Sequence, residues 1–120
     1  MERIIRIDDK DYHMASSALT QFSYKNETGR SFLRDLKEII SISKKKDLEN
    51  DIEAIDDISE LLLKMSYVMV KEADKNQYIS YEDFLKSIDN LYDDKDWIFE
   101  VIGLAVTPLS RNLQTNKGFQ

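Results

Sequence analysis

One amphipathic stretch, residues 50–74, limits how the rest of this chain can fold. Its apolar residues recur at steps of three and four, the spacing that places side chains on one face of a helix. They are Ile52, Ile55, Ile58, Leu62, Met65, Met69 and Ala73. Additional apolar residues widen this face in the second half, so we expect other elements to surround that half. The first half should be partly exposed to solvent. A helix of this length spans roughly 37 Å, and every other element must pack against it.

The composition predicts one soluble domain. The chain has 120 residues, 42% of them hydrophobic and 33% charged, which is enough to form a core without cross-links. It contains no cysteine, which excludes disulfides and fits a reducing cytoplasm. The formal net charge of -6 argues against broad nucleic-acid binding. No apolar run is long enough for a membrane span or a signal-peptide core. Because nucleic acid and membrane are both disfavoured, the expected partner is a protein.

Motifs before the central stretch predict a hairpin and two helices. Two β-compatible runs, residues 3–7 and 11–14, flank turn-forming residues. A short helix is expected within residues 15–28 and should end at Gly29, because glycine adopts the left-handed cap freely. Ser31 can cap a second helix that extends through Ser43. The loosely helical pattern of the first of these helices is formed by Ala18, Leu19, Phe22 and Tyr24.

Two more helices are expected after the central one. Ser80, with Asp83 three residues later, resembles a capping box, and apolar residues continue at helical spacing to Tyr92. A last helix is predicted over residues 97–106, and Pro108 ends it. We therefore predict a mainly α fold of the α+β type. An N-terminal β-hairpin packs on a bundle of about four to five helices around the long central helix. Residues 1–108 form this single domain, and residues 109–120 form a mobile tail.

Residues 72–83 resemble the loop of an EF-hand calcium site. With Glu72 in the first position, the remaining ligand positions hold Asp74, Asn76, Tyr78, Ser80 and Asp83. The sixth position, however, holds Gln77 instead of glycine, and the last ligand is aspartate instead of a bidentate glutamate. We therefore favour an ordinary connection between two helices, and we keep a small calcium-responsive binding module as the alternative function.

The remaining residues do not form a pattern typical of an enzyme. His13 is the single histidine, and nothing near it in the sequence nominates a catalytic partner. Adjacent carboxylates such as Asp56 and Asp57 diverge on a helix instead of converging on a metal. The three glycines are too scattered for a phosphate-binding loop. We therefore predict no enzyme activity, no metal site and no cofactor.

Aromatic residues are the candidates for a partner-binding surface, because such side chains are favoured at protein interfaces. Aromatic residues are more often part of the core, so we expect a mixed outcome. Tyr81, Tyr92 and Trp97 are expected to be partly exposed. The predicted partner-binding residues are Tyr67, Tyr81, Tyr92, Trp97 and Phe99.

Three blocks of residues, in their order along the chain, resemble a known family. The block before the central helix contributes Tyr24, Gly29, Phe32, Leu33, Asp35 and Leu36. The central helix contributes Tyr67, Met69, Lys71, Ala73 and Asp74. The block after it contributes Asp83, Phe84, Leu85 and Ile88. Together with the hairpin and the last helix, these blocks cover nearly the whole chain. Their order resembles that of the tail assembly chaperones of long-tailed bacteriophages and of prophages of Gram-positive bacteria.

This resemblance implies a non-catalytic protein that coats the tape measure protein and helps recruit the major tail protein before it is released. It implies action in the cytoplasm of the bacterial host, absence from the mature virion and a tendency to self-associate. Relatives are commonly made also as a longer product by ribosomal frameshifting. The residue chemistry is compatible with this role, because an acidic domain with apolar helical faces can shield the apolar helices of a partner.

Overall fold

The computed structural model describes residues 1–45, 50–76 and 79–109, so residues 110–120 of the predicted tail lie outside the described part. A two-stranded antiparallel sheet comes first, formed by β1 (Glu2–Ile7) and β2 (Lys10–Ala15). The helices that follow are α1 (Ala18–Thr28), α2 (Phe32–Lys45), α3 (Ile52–Ala73), α4 (Tyr81–Lys86) and α5 (Asp96–Val106), with a 3-10 turn over Thr107–Leu109. This order confirms the predicted α+β class. In the described ranges, no helix is both long enough and apolar enough to cross a membrane.

The hairpin has one apolar face, which covers the helices. β1 and β2 pair residue for residue along their length. At the turn, Asp8 and Asp9 have φ angles of 52° and 64°, the left-handed region that a tight hairpin turn requires and that aspartate tolerates better than most residues. Because successive side chains of a strand point to opposite faces of the sheet, Ile5, Ile7 and Met14 lie on the face that is buried. The predicted hairpin is therefore confirmed, and its buried face is part of the main core.

α3 is the central helix, and its second half is enclosed on every side. Between Leu61 and Val70, every residue except Lys64 is buried. Two serines of α3, Ser59 just before this stretch and Ser66 within it, are also buried, because each hydroxyl donates to the backbone carbonyl four residues earlier, at 2.6 Å and 2.8 Å respectively. The first half is amphipathic, with acidic side chains in solvent. Both halves match the prediction from the apolar pattern except at Ile52, which was expected on the core face but is 53% exposed. It is the first residue of α3, where the helix begins beyond the elements that cover it.

A buried polar cluster joins α1 to α2. Gly29 ends α1 with a φ of 74°, as predicted, and turns the chain so that Arg30 lies beside Asp35 of α2. The Tyr24 hydroxyl donates to Oδ2 of Asp35 at 2.7 Å. Arg30 donates to both carboxylate oxygens, from Nε at 2.7 Å and from Nη2 at 3.0 Å. Asp35 is thus a buried charge that is fully paired, which is the condition under which proteins tolerate one.

The same contacts set the protonation states of this cluster. Burial alone would raise the pKa of the Asp35 carboxyl, but hydrogen bonds from Arg30 and Tyr24, together with the Arg30 charge, hold that pKa below its ordinary value. Burial, reinforced by Asp35, raises the pKa of the Tyr24 phenol above its ordinary value. The tyrosine therefore remains a donor and the aspartate an acceptor across the neutral pH range.

α4 is shorter than the sequence pattern predicted. The pattern favoured a helix over residues 81–92, but α4 ends at Lys86. Beyond it, the Asp8 carboxylate in the hairpin turn accepts the backbone N–H groups of Asp89 at 2.8 Å and Asn90 at 2.9 Å. These hydrogen bonds hold the chain in a non-helical turn. A contact between residues 81 positions apart leaves no mark in a local apolar pattern, so the prediction of a longer helix was wrong.

We expect Asp35→Ala to lower the free energy of unfolding by about 3 kcal/mol, because it removes the acceptor of both Tyr24 and Arg30 inside the fold. Urea unfolding followed by circular dichroism measures this loss. Glu82→Ala is the matched control, since it removes the exposed partner of Lys86 and should cost less than about 1 kcal/mol. Equal losses in the two variants would contradict a special role for the buried cluster.

The depressed pKa of Asp35 predicts how stability depends on pH. Above the unfolded-state pKa, about 3.9, the carboxylate is ionised in both states and its stabilising contribution is fully present. As the pH falls through the lower folded-state pKa, the folded protein must also take up the proton, and that contribution is lost. Asp35→Asn should therefore show a shallower decline in unfolding free energy between about pH 5 and pH 2 than the wild type. Parallel declines would contradict this assignment.

Candidate functional site

An open groove of about 390 Å³ lies between α1 and α3. On α1, Leu19 and Phe22 lie one turn apart on an outward face, and their side chains are 47% and 63% exposed. Val68 of α3 is buried in the groove. We call this feature the α1–α3 groove. It is lined by Leu19, Ser23, Asn26, Glu27, Val68, Lys71, Glu72 and Lys75.

Two carboxylates in the α1–α3 groove are already satisfied by neighbouring side chains. Glu72 accepts hydrogen bonds from the Ser17 and Thr20 hydroxyls, both at 2.6 Å, and so ties the start of α1 to α3. Glu27 accepts from Nζ of Lys71 at 2.9 Å, and this hydrogen bond raises the pKa of the Lys71 ammonium. These charges are paired within the chain, and the exposed apolar side chain that lines the groove is that of Leu19.

A smaller notch of about 250 Å³ lies next to the groove. It shares Glu27 with the groove, and Lys71 lies between the two, with Nζ 5.1 Å from the centre of the Tyr67 ring. The Tyr67 and Tyr81 rings meet edge to face, with centroids 5.4 Å apart. The Tyr67 hydroxyl donates to the carbonyl oxygen of Ile79 at 2.7 Å. We call this feature the tyrosine notch; it is lined by Glu27, Thr28, Lys64, Tyr67 and Tyr81.

The five aromatic residues predicted to bind a partner do not form one surface. Tyr67 and Tyr81 meet in the tyrosine notch, although Tyr67 is mostly buried. Tyr92 lies at the amino end of α3, where its hydroxyl is 3.4 Å from Oδ1 of Asp56. Phe99 is 54% exposed on α5. Trp97 is buried in the interior of the fold.

Trp97 is buried, so the prediction that it is partly exposed was wrong. Its side chain is 1% exposed and belongs to the main core. Its indole nitrogen donates to the carbonyl oxygen of Leu91 at 2.9 Å. Because this single polar group finds a partner inside the fold, the ring needs no contact with water. Local sequence cannot show this, since the acceptor belongs to the irregular segment between α4 and α5.

Leu19 and Phe22 were not predicted as binding residues. They were grouped with Tyr24 in one helical pattern, yet α1 buries Thr20 and Tyr24 and exposes Leu19 and Phe22. The helical positions of these residues could have shown this difference in exposure. Residues 20 and 24 lie on one face of a helix, and residues 19 and 22 lie on another. A helix with apolar side chains on two faces covers the core with one and leaves the other for a further contact.

The loop that resembles an EF-hand is arranged around other contacts. Glu72, its proposed first ligand, accepts the hydroxyls of Ser17 and Thr20 in α1. Ser80 caps α4 by accepting the N–H of Asp83 at 3.0 Å. The positions of Gln77 and Tyr78 lie outside the described residues. Across the described part of the chain, no three acidic, histidine or cysteine side chains are grouped as metal ligands.

His13 lies on the hairpin, as predicted. Its Nε2 is 2.6 Å from a carboxylate oxygen of Glu2, and both side chains are more than half exposed. Ile4 lies opposite His13 in the strand register. This pair belongs to the solvent face of the sheet.

Comparison with protein-family models, with curated proteins and with solved structures finds no match for this chain. The assignment of a function therefore depends on the surface features described above and on the order of the sequence motifs.

Burial of Trp97, the single tryptophan, predicts fluorescence at shorter wavelength than solvated indole and weak quenching by acrylamide. Unfolding in urea should shift the emission to longer wavelength and serves as the internal control. Calcium should change neither the emission nor the Tm, because Ser17 and Thr20 already hold the Glu72 carboxylate. A calcium-dependent rise in Tm would instead support the EF-hand alternative, since a ligand that binds only the folded state stabilises it.

Proposed function

We propose that this chain is a non-catalytic tail assembly chaperone that binds amphipathic helices of a tape measure protein. The observation that carries this proposal is the exposed apolar face of α1, formed by Leu19, which lines the α1–α3 groove, and by Phe22 one helical turn further along. Apolar side chains at helical spacing beside a groove are the surface that an amphipathic partner helix covers. The order of the sequence motifs supports the choice of family, and this surface supports the mode of binding.

The dimensions of the groove suit a short helical segment. α1 has 11 residues and is therefore roughly 16 Å long, which corresponds to about three turns of a partner helix. The ion pair between Glu27 and Lys71 separates the groove from the tyrosine notch. A matching partner would place one apolar residue in the groove and another in the notch, with a polar residue between them. Burial of apolar surface, more than charge, would determine affinity.

Weak binding by many copies fits this role better than tight binding by one. The groove is small, so a single contact has modest affinity, and repetition along a long helical rod raises the total through avidity. Weak individual contacts also allow release when the tail is built. On this proposal the protein acts in the cytoplasm of the bacterial host, helps recruit the major tail protein and is absent from the mature virion.

Co-expression with the tape measure protein of the same prophage, followed by affinity capture and quantitative mass spectrometry, tests the proposal. Wild type should retain the tape measure protein with many copies of this chain per rod. The double variant Leu19→Glu, Phe22→Glu should reduce retention at least about tenfold, since two anchoring side chains lose their apolar contact. Ile4→Glu is the matched control for Phe22→Glu alone, because each adds one negative charge at a similarly exposed apolar residue, on the hairpin and on α1 respectively.

The outcomes separate the function from the binding surface. Capture of the wild-type chain alone, with the tape measure protein soluble without it, rejects the chaperone function. If wild type and the Leu19, Phe22 variant retain the tape measure protein equally, the chaperone function is still supported, but the α1–α3 groove is rejected as the binding surface. Circular dichroism of each variant confirms that retention is compared between folded proteins.

A further inference from the structure

One side of α5 is open to solvent, although this helix is apolar around nearly its whole circumference. Asp96 and Glu100 are its only charged residues. One side packs into the main core through Trp97, Ile98, Val101, Leu104 and Ala105. The opposite side has residues without charge at steps of three and four, and we call it the outer face of α5. It is formed by Phe99, Ile102, Gly103 and Val106, none of which is fully buried.

Exposure of this face is unfavourable in water. Phe99 has more than half of its side chain exposed, and Ile102 and Val106 are half-buried beside it along the helix. A helix that is apolar on every side is stable when other elements enclose it, as they enclose the second half of α3. Apolar residues that share one exposed face mark a surface to which another molecule binds.

Gly103 lies in the middle of the outer face, where the fold does not require a glycine. Glycine in the interior of a helix is destabilising relative to alanine. A methyl group at this position would lie 3.8 Å from Nη1 of Arg3, which is an ordinary van der Waals distance. Packing within the described part of the chain therefore does not explain the glycine. The missing side chain does allow the backbone of a second helix to approach α5 closely.

Arg3 supplies a positive charge next to the outer face. It lies on the same side of β1 as Ile5 and Ile7, which face the helices, and its guanidinium is beside Gly103. Arg3 is exposed, and within the described residues it forms no salt bridge. A guanidinium matches a carboxylate through two parallel hydrogen bonds. The complementary occupant therefore brings a carboxylate to the edge of an apolar contact.

We propose that the outer face of α5 binds an amphipathic helix of another protein that carries a carboxylate at the edge of its apolar face. Phe99 and Val106 pack against apolar side chains of that helix, and the two backbones approach each other most closely at Gly103. Arg3 pairs with the carboxylate, so a helix with a basic residue there is rejected by like charge. This surface shares no residue with the α1–α3 groove or the tyrosine notch. The proposal therefore does not depend on the proposed function.

Titration of the full, ¹⁵N-labelled chain with synthetic peptides, followed by two-dimensional NMR, tests this proposal. The probe is a helical peptide with a leucine-lined face and one glutamate at the edge of that face, and a second peptide has lysine in place of the glutamate. The glutamate peptide should shift the amide signals of α5 and Arg3. It should also bind at least about tenfold more tightly than the lysine peptide, although the net charge of -6 favours the lysine peptide. Absence of binding, equal affinities or shifts confined to other helices would overturn the proposal.

Substitutions of Phe99 and Arg3 locate the contact. Phe99→Glu should weaken binding of the glutamate peptide at least about tenfold. Phe22→Glu is the matched control, because it makes the same change at a similarly exposed phenylalanine of α1, and it should leave binding unchanged. Arg3→Gln should remove the preference for the glutamate peptide over the lysine peptide. Circular dichroism verifies that the variants are folded. Equal loss of binding in Phe99→Glu and Phe22→Glu would overturn the assignment to α5.

Gly103→Ala distinguishes a binding role of the glycine from a structural one. Alanine favours the helix, so this variant should have a higher Tm than the wild type. Its methyl group keeps the two backbones apart, so the variant should nevertheless bind the glutamate peptide more weakly. A lower Tm would assign the glycine to the fold, and unchanged binding would show that no close approach occurs there. Either result overturns the proposal.

Discussion

Burial of the second half of α3 on every side is the constraint on which the rest of this structure depends. A helix with apolar side chains around its whole circumference is stable in water only when other elements enclose it. The hairpin, α1, α2, α4 and α5 all pack against it and provide that enclosure. Their buried side chains form one continuous core with those of α3. The hairpin is part of this enclosure, which explains how two strands persist in an otherwise helical chain.

Polar contacts between distant segments determine how the enclosing elements are oriented. Asp35 accepts from Tyr24 and Arg30 and sets the corner between α1 and α2. Glu72 accepts two hydroxyls at the start of α1 and fixes that end to α3. Asp8 accepts two backbone N–H groups after α4 and attaches the hairpin turn there. In each case one carboxylate satisfies several donors, and charge-assisted hydrogen bonds of this kind are stronger than neutral ones.

The features that suggest a function lie outside this enclosed core. Leu19 lines the α1–α3 groove, and Phe22 lies one helical turn further along α1; both side chains are exposed. The proposed function depends on these two residues and not on the residues that form the core.

The sequence by itself determined the helical period, the central position of α3, the hairpin and the end of α1 at Gly29. These follow from local rules, namely the spacing of apolar side chains and the backbone freedom of glycine. It also nominated Tyr67 and Tyr81, which the structure brings together. Only the tertiary structure decided that α4 ends at Lys86, that Trp97 is buried and that α1 exposes Leu19 and Phe22. A periodic pattern identifies apolar faces, but packing between residues far apart in the chain decides which face is covered and which stays open.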